Sequence, residues 1–239
     1  MDRSTWLQQI RQATEEIYTI EASTYDDHWS TFIDSTHESF IAKFLSMCPP
    51  GGIILDAACG TGKYWSLILD RGWKVHGTDQ SLGMLSRAQE KFAAASTEKI
   101  GLQEIHYQEA FEGAICMDAM ENVFPEDWLP VLKNIHRAIK PNGYFYFTVE
   151  LASVKDLEQA FAEATEMGFP VVPGEWTQKG EYHYYPKIEQ AKEWLNSVGF
   201  IVIEEKSAPF ADAGSPLEGE VGYIGEGYYH VLTQKKSWI

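Results

Sequence analysis

The segment Ile53-Ile54-Leu55-Asp56-Ala57-Ala58-Cys59-Gly60-Thr61-Gly62-Lys63-Tyr64 constrains this chain most. A short apolar run meets small residues and two glycines, and a helical pattern starts at once. Glycines at such a turn permit positive φ and let a ligand approach the main chain with no Cβ in the way. N–H groups of the first helical turn then point at whatever binds. Two rival readings fail on particular residues. A dinucleotide fingerprint needs a third glycine where Trp65 stands; a phosphate-binding P-loop needs glycine at 57 and Ser or Thr after the lysine, where the chain has Ala57 and Tyr64. Asp79 ends a second strand, Val75-His76-Gly77-Thr78-Asp79. It lies roughly 20 residues past the glycines, where a carboxylate can accept both hydroxyls of a ribose.

Strand and helix signals alternate around this loop. Trp6, Ile10, Ala13 and Ile17 recur at helical intervals and predict a helix over 5–20, with another over 29–47 stopped by Pro49-Pro50-Gly51-Gly52. Strands are expected at 53–55, 73–78, 104–107, 113–117 and 144–149, with helices over 64–69, from the N-cap Ser81, and over 126–139. This alternation argues for a parallel sheet with helices on both faces. The last third predicts helices over 154–167 and 188–198 flanking a loop at 168–181. Two strands, 200–205 and 228–234, then follow as an antiparallel edge, joined by a long loop holding Gly214, Gly219, Gly222, Gly225 and Gly227.

Composition narrows the partners. The formal charge is −16, and no basic cluster precedes Lys235-Lys236. Nucleic acid, whose binding relies on Lys and Arg displacing counterions, is therefore not expected. No run approaches the roughly 20 apolar residues that span a bilayer, so no membrane association is expected. The N-terminus does not read as a signal peptide. Cys48, Cys59 and Cys116 form no paired metal-ligand spacing; no metal site is expected, and a reducing cytoplasm fits best.

Three motifs together resemble the class I S-adenosylmethionine-dependent methyltransferases. They are Leu55-Asp56-x-x-Cys59-Gly60-Thr61-Gly62, Gly77-x-Asp79-x-Ser81-x-x-Met84, and Phe124-Pro125-Glu126-Asp127 leading to Leu132-x-x-Ile135-x-Arg137-x-Ile139-Lys140-Pro141-x-Gly143. The resemblance runs from about Tyr25 to Gln234. It implies a Rossmann-like α/β fold: a seven-stranded, mostly parallel sheet with an antiparallel edge strand, and S-adenosylmethionine over the C-terminal edges. It places Gly60 and Gly62, with Ala57, under the methionine part of that cofactor, and Asp56 beneath the turn. Asp79 falls on the ribose beside Gln80, and Met84 on the adenine. The family's Gly-Asp-Ala-like element after strand three is matched by Gln108-Glu109-Ala110, which implies Glu109 and Ala110 at the adenine, although the chain then passes almost directly into Phe111.

Methyl transfer needs nucleophile, methyl and sulfur in line, water excluded and sometimes a proton removed. Candidates belong at the C-terminal strand ends. Met117, Asp118 and Ala119, directly after strand four, are expected to face the cofactor through backbone atoms. Glu121 is read as a partner for a substrate amine or a base, with a solvated loop carboxylate as the alternative. Glu150 is read at the pocket mouth or as a helix cap, and His183, in Glu181-Tyr182-His183-Tyr184-Tyr185-Pro186, as a base or as pocket lining. The Tyr25-Asp26-Asp27-His28-Trp29 element resembles one that precedes the core in small-molecule methyltransferases, which puts Tyr25 and Trp29 over the cofactor unless they only pack in the core. The expected organisation is one domain, with an N-terminal helical lid (1–48), a cofactor-binding core (49–150), a substrate-cap insert (151–200) and C-terminal strands (201–239). The expected reaction is methylation of a small molecule at oxygen or nitrogen. A non-catalytic binding module, or the same fold used for other cofactor chemistry, remains open, and the sequence does not set the oligomeric state.

Overall fold

The computed structural model describes residues 1–29, 33–178, 180–210 and 223–236; most of the glycine-containing loop, with Gly214, Gly219 and Gly222, lies outside them. The chain begins with α1 (Arg3–Glu21), α2 (Tyr25–Trp29) and α3 (Ser35–Met47). β1 (Ile53–Ala57), α4 (Trp65–Leu69), β2 (Lys74–Asp79), α5 (Leu82–Lys91), β3 (Ser96–Lys99), β4 (Phe111–Cys116), α6 (Trp128–Ala138) and β5 (Ile139–Ala152) follow. The last part holds α7 (Val154–Glu166), β6 (Glu175–Gln178), β7 (Glu181–Tyr184), α8 (Ile188–Ser197), β8 (Phe200–Pro209) and β9 (Gly225–Lys235).

Seven strands form one sheet in the order β3-β2-β1-β4-β5-β9-β8, with every pair from β3 to β5 parallel. β9 is antiparallel to both β5 and β8, so the reversed strand lies one in from the edge. Alternating side chains feed two cores, as the pleat requires. Leu55, Ala114, Phe145, Phe147 and Val231 face one layer with α6 and α8, while Ile54, Ile115, Tyr146 and Leu232 face the other with α3, α4 and α5. α6 shows why a helix belongs here: Trp128, Val131, Leu132, Ile135 and Ala138 form one buried stripe. Each large side chain on it contributes about 1.5–3 kcal/mol by leaving water.

Three expectations need correction. The third strand is Ser96–Lys99, not 104–107. It is an edge strand of polar, mostly exposed residues, so no apolar run announces it. Residues 104–107 instead follow a single 3-10 turn, Leu102–Glu104. The helix expected over 29–47 is two, because Asp34 accepts from the N–H groups of Thr36 and His37 and caps a new start. The loop expected at 168–181 contains β6, which pairs antiparallel with β7 as a separate hairpin. Among the described residues, no helix is long and apolar enough to cross a membrane.

Candidate cofactor and acceptor site

A pocket opens over the C-terminal ends of the parallel strands. Its floor is Ala58 and Gly60 after β1, Asp79 at the end of β2 with Gln80 after it, and Asp118 and Ala119 after β4. Gly60 has φ of +52° and nothing within 4 Å of the place a Cβ would occupy, so its backbone is bare toward the pocket. Gly62 has another task. At φ +75° its missing Cβ would stand 2.8 Å from the Trp65 ring, and a Cβ on Gly77 would stand 2.4 Å from that ring. Trp65 is thus wedged, fully buried, between the two glycines, and its indole N–H donates to Asp56 Oδ2 at 2.7 Å. Burial pushes the Asp56 carboxyl up to about 8, so at neutral pH it is mostly protonated below the turn.

Asp79 is fixed by main chain. Gly60 N–H donates to its Oδ2 at 2.9 Å and Ser81 N–H to its Oδ1 at 2.8 Å. Each oxygen keeps a further lone pair for a ligand. Burial raises this carboxyl, and the bonds from Ser81 and Gly60 oppose the rise. Asp118 takes a left-handed backbone, φ +51°. Its Oδ2 accepts from Lys63 Nζ at 2.9 Å and Tyr64 Oη at 2.6 Å, and its N–H donates to Thr148 Oγ1 at 2.8 Å. Burial disfavours its charge, but Lys63 and His37 outweigh that and hold the carboxyl well below the usual range.

The N-terminal helices form the other wall. Arg11, Thr14 and Tyr18 of α1 and Tyr25 of α2 line the pocket. α1 comes close to α5 because residue 83 is glycine; a Cβ there would stand 2.8 Å from Thr19 O. Asp26 ties α2 to the glycine loop, accepting from Thr61 Oγ1 at 2.6 Å and Lys91 Nζ at 2.8 Å.

Of the residues named from sequence, Tyr25, Gly60, Asp79, Gln80, Met84, Asp118 and Ala119 line this pocket. Trp29 stands behind Tyr25, with ring centroids 6.1 Å apart. Asp56, Ala57 and Met117 are buried beneath the lining. Glu109 and Ala110 lie elsewhere: they precede β4, at the opposite edge of the sheet, where their N–H groups donate to Arg137 O and Ala138 O. Glu109 is half exposed, 3.6 Å from Lys235 Nζ. With β3 at Ser96–Lys99, the residues at its C-terminal end are Ile100-Gly101-Leu102-Gln103, and these line the pocket. Sequence reasoning missed them, and missed Arg11, Thr14 and Tyr18, although these recur at helical spacing beside the apolar stripe of α1.

The other three candidates converge. Glu150, at the end of β5, accepts from Tyr223 Oη at 2.5 Å and Tyr185 Oη at 3.2 Å, and His183 Nδ1 lies 3.1 Å from its Oε2. Glu121 occupies the 3-10 turn Met120–Asn122 after β4, beside the pocket-lining Ala119 and Asn122. Burial and then the charge of Glu150 hold its carboxyl well above the ordinary value.

These features suit S-adenosylmethionine: a bare main-chain turn for the methionine part, a fixed carboxylate for a ribose diol, apolar Met84, Ile100 and Leu102 for an adenine, and acidic surroundings for a sulfonium. The comparisons agree. Residues 54–143 match a family described as a methyltransferase domain. The chain is 27% identical over 237 residues to a putative methyltransferase, YqeM, of Bacillus subtilis, covering 85% of this chain and 94% of the relative. A 1,6-didemethyltoxoflavin-N1-methyltransferase of Burkholderia thailandensis, solved with 1,6-didemethyltoxoflavin and S-adenosylhomocysteine, superposes with TM-score 0.70 at 14% identity, covering 99% of this chain and 92% of that one. An S-adenosylmethionine-dependent methyltransferase of Methanosarcina mazei gives 0.66 at 17% identity, over 81% and 97%. Glycine turn, sheet order and family match agree: residues 54–143 form a methyltransferase domain, and the fold is that of the class I, Rossmann-like S-adenosylmethionine-dependent methyltransferases.

Proposed function

We propose that the protein methylates an oxygen or nitrogen of a small molecule in the cytoplasm, with residues 1–48 as a lid and 151–200 as a cap over the acceptor. The observation that carries this reading is the wall that α1 and α2 add to the pocket, with the Glu121, Glu150 and His183 corner beside it. A pocket walled by these helices suits a small acceptor, and a charge of −16 disfavours nucleic acid.

S-adenosylmethionine supplies a methyl group on a positively charged sulfur. In this reading Asp79 holds the ribose, Gly60 gives the amino-acid end its main-chain contacts, and Gln80, Met84 and Gln103 surround the adenine. Tyr18 and Tyr25 exclude water above the reacting atoms. Glu121, or Glu150 through His183, receives the proton an acceptor loses. Calorimetric titration with S-adenosylhomocysteine, followed by mass spectrometry of small-molecule acceptors incubated with S-adenosylmethionine, tests it. Binding that Asp79→Ala weakens about 100-fold, the loss of a charged double hydrogen bond, is expected. Binding unchanged by Asp79→Ala would remove the ribose assignment. Tight binding with no methylated product from any acceptor would favour a non-catalytic binding protein.

A further inference from the structure

Glu121 and Glu150 reach one corner from different elements, and both are nearly sealed from water, at 3% and 5% exposure. Carboxyls are seldom so buried without partners. Glu150 has three: Tyr223, Tyr185 and His183. Glu121 differs, because its Oε2 is fully buried and has no hydrogen-bond partner among the described residues. An open buried acceptor of this kind is a place where a donor from outside the chain, a water or a ligand, is accommodated.

Glu121 lies directly beside the pocket lining. Ala119 and Asn122, on either side of Glu121 in sequence, line the pocket. The charges of Glu121 and Glu150 act on the Tyr18 hydroxyl, and that of Glu121 on Tyr25, both of the pocket wall. Aromatic rings complete the corner: His183 stands 6.0 Å from Tyr185 and 6.2 Å from Tyr223. Among the described residues no lysine or arginine is bonded to either carboxyl, so a carboxylate acceptor would meet two acids and no cation. An ammonium group meets what it needs: an open acceptor, a second carboxylate and aromatic faces.

We propose that Glu121 and Glu150 form the acceptor subsite and that the acceptor is a small amine, bound through its nitrogen at Glu121 Oε2 with Tyr185, Tyr223 and His183 around it. The proposal rests on the methyl-transfer reading above. The amine arrives as an ammonium and gives one proton to the Glu121 carboxylate. The freed nitrogen lone pair forms the N–CH₃ bond as the C–S bond breaks. The bonding pair stays on sulfur, which becomes neutral, and the product leaves as a methylammonium. Burial and the neighbouring Glu150 raise the Glu121 carboxyl well above its ordinary value, so docking an ammonium against it favours release of a proton.

The test uses the full chain first saturated with S-adenosylhomocysteine, then titrated by calorimetry with phenethylamine and n-butylamine, and with 2-phenylethanol and phenylacetate as probes of similar shape. Titration in two buffers of different ionisation heat reads the proton. The expected result is amine binding with a net release of protons. The alcohol and the acid bind at least about tenfold more weakly, and Glu121→Gln lowers amine affinity by a similar factor while leaving S-adenosylhomocysteine binding unchanged. If Glu121→Gln loses S-adenosylhomocysteine binding, Glu150→Gln provides the same readout. No binding of either amine to the loaded protein, equal binding of alcohol or acid, or an amine affinity indifferent to both variants would overturn the proposal. Failure of wild-type protein to bind S-adenosylhomocysteine would overturn the methyl-transfer reading instead.

Discussion

The two sides of the pocket are built in different ways. Around Gly60 and Asp79 the main chain does the holding: Cys59 N–H donates to Thr78 O, Gly62 N–H to Cys59 O, and Gly60 N–H to Asp79, all at 2.9 Å. Around Glu150 the holding is by side chains, from His183, Tyr185 and Tyr223, contributed by separate stretches of chain. A main-chain site depends on φ and on absent Cβ atoms, so few sequences build it. A side-chain corner can be rearranged one residue at a time, which suits the part of an enzyme that chooses its substrate.

The largest effect that sharpens this contrast is expected at Gly62. Valine there must take φ +75° and place its Cβ 2.8 Å from the fully buried Trp65 ring. Backbone strain and overpacking together cost about 3–5 kcal/mol, and cofactor binding goes with the turn. Gly60→Ala meets no neighbour within 4 Å, so it costs only the strain of φ +52°, about 1–2 kcal/mol. Its expected loss is in S-adenosylhomocysteine affinity, with the fold kept. Urea unfolding and calorimetry separate the two, and equal stability losses would show that the glycines share one role.

The same contrast explains what could be read in advance. The glycine turn, Asp79 and Met84 lie in one stretch of about thirty residues whose spacing follows from local geometry. The parallel sheet followed from alternation, because β1, β4 and β5 are apolar runs. β3 was missed because an exposed edge strand of Ser, Thr, Glu and Lys carries no period that burial has imposed. That error moved the adenine assignment to Glu109 and Ala110. Glu121, Glu150 and His183 were each named separately, but nothing in their spacing shows that they meet; that is a property of how the β6–β7 hairpin docks.

The docking of the hairpin gives the next effect. Glu175 of β6 is fully buried, and Arg3 of α1 donates to its two oxygens at 2.7 and 2.9 Å, while Tyr182 Oη donates at 2.6 Å. Arg3→Met strands that carboxylate. Breaking a buried pair costs about 3–5 kcal/mol, and the partial exposure of Arg3 lowers the expectation to about 2–3. Faster hydrogen exchange in both α1 and the hairpin is expected, with S-adenosylhomocysteine affinity falling by less than it does in Gly60→Ala. A loss of stability below 1 kcal/mol would break the claim that side chains hold this wall.

His37 joins the two constructions, since it lies between Asp34 and Asp118 with ring nitrogens 3.0 and 3.6 Å from their oxygens. Burial disfavours its charge, but Asp118 and Asp34 together raise it to about 9, above the 6.5 of a free imidazole. The folded chain therefore holds the proton more tightly than the unfolded one. The resulting stability, at most about 3 kcal/mol, is fully present below pH 6.5 and disappears as the pH rises through about 9. His37→Gln has no such proton. The stability gap between wild type and variant, measured by urea unfolding, should be widest at pH 6 and close toward pH 9.5. A gap constant over that range would mean that His37 is neutral and that only Lys63 balances Asp118.

The smallest expected effect discriminates best between the resemblance and the geometry. The family pattern, laid on this chain, puts Glu109 at the adenine amine; the geometry puts it at the other end of the sheet, half exposed beside Lys235. Glu109 is exposed and its pair with the buried Lys235 is long, so it contributes about 0–1 kcal/mol, and Glu109→Gln should change stability little and S-adenosylhomocysteine affinity not at all. Gln103 lines the pocket next to Leu102, at the end of the strand that the sequence concealed. Gln103→Ala removes one polar side chain from the wall and should weaken binding about threefold to tenfold, the worth of a single neutral hydrogen bond. Calorimetry on the two variants side by side decides between the placements. If Glu109→Gln weakened binding while Gln103→Ala left it intact, the adenine would sit where the motif implied, and β3 would have to pair along 104–107 after all.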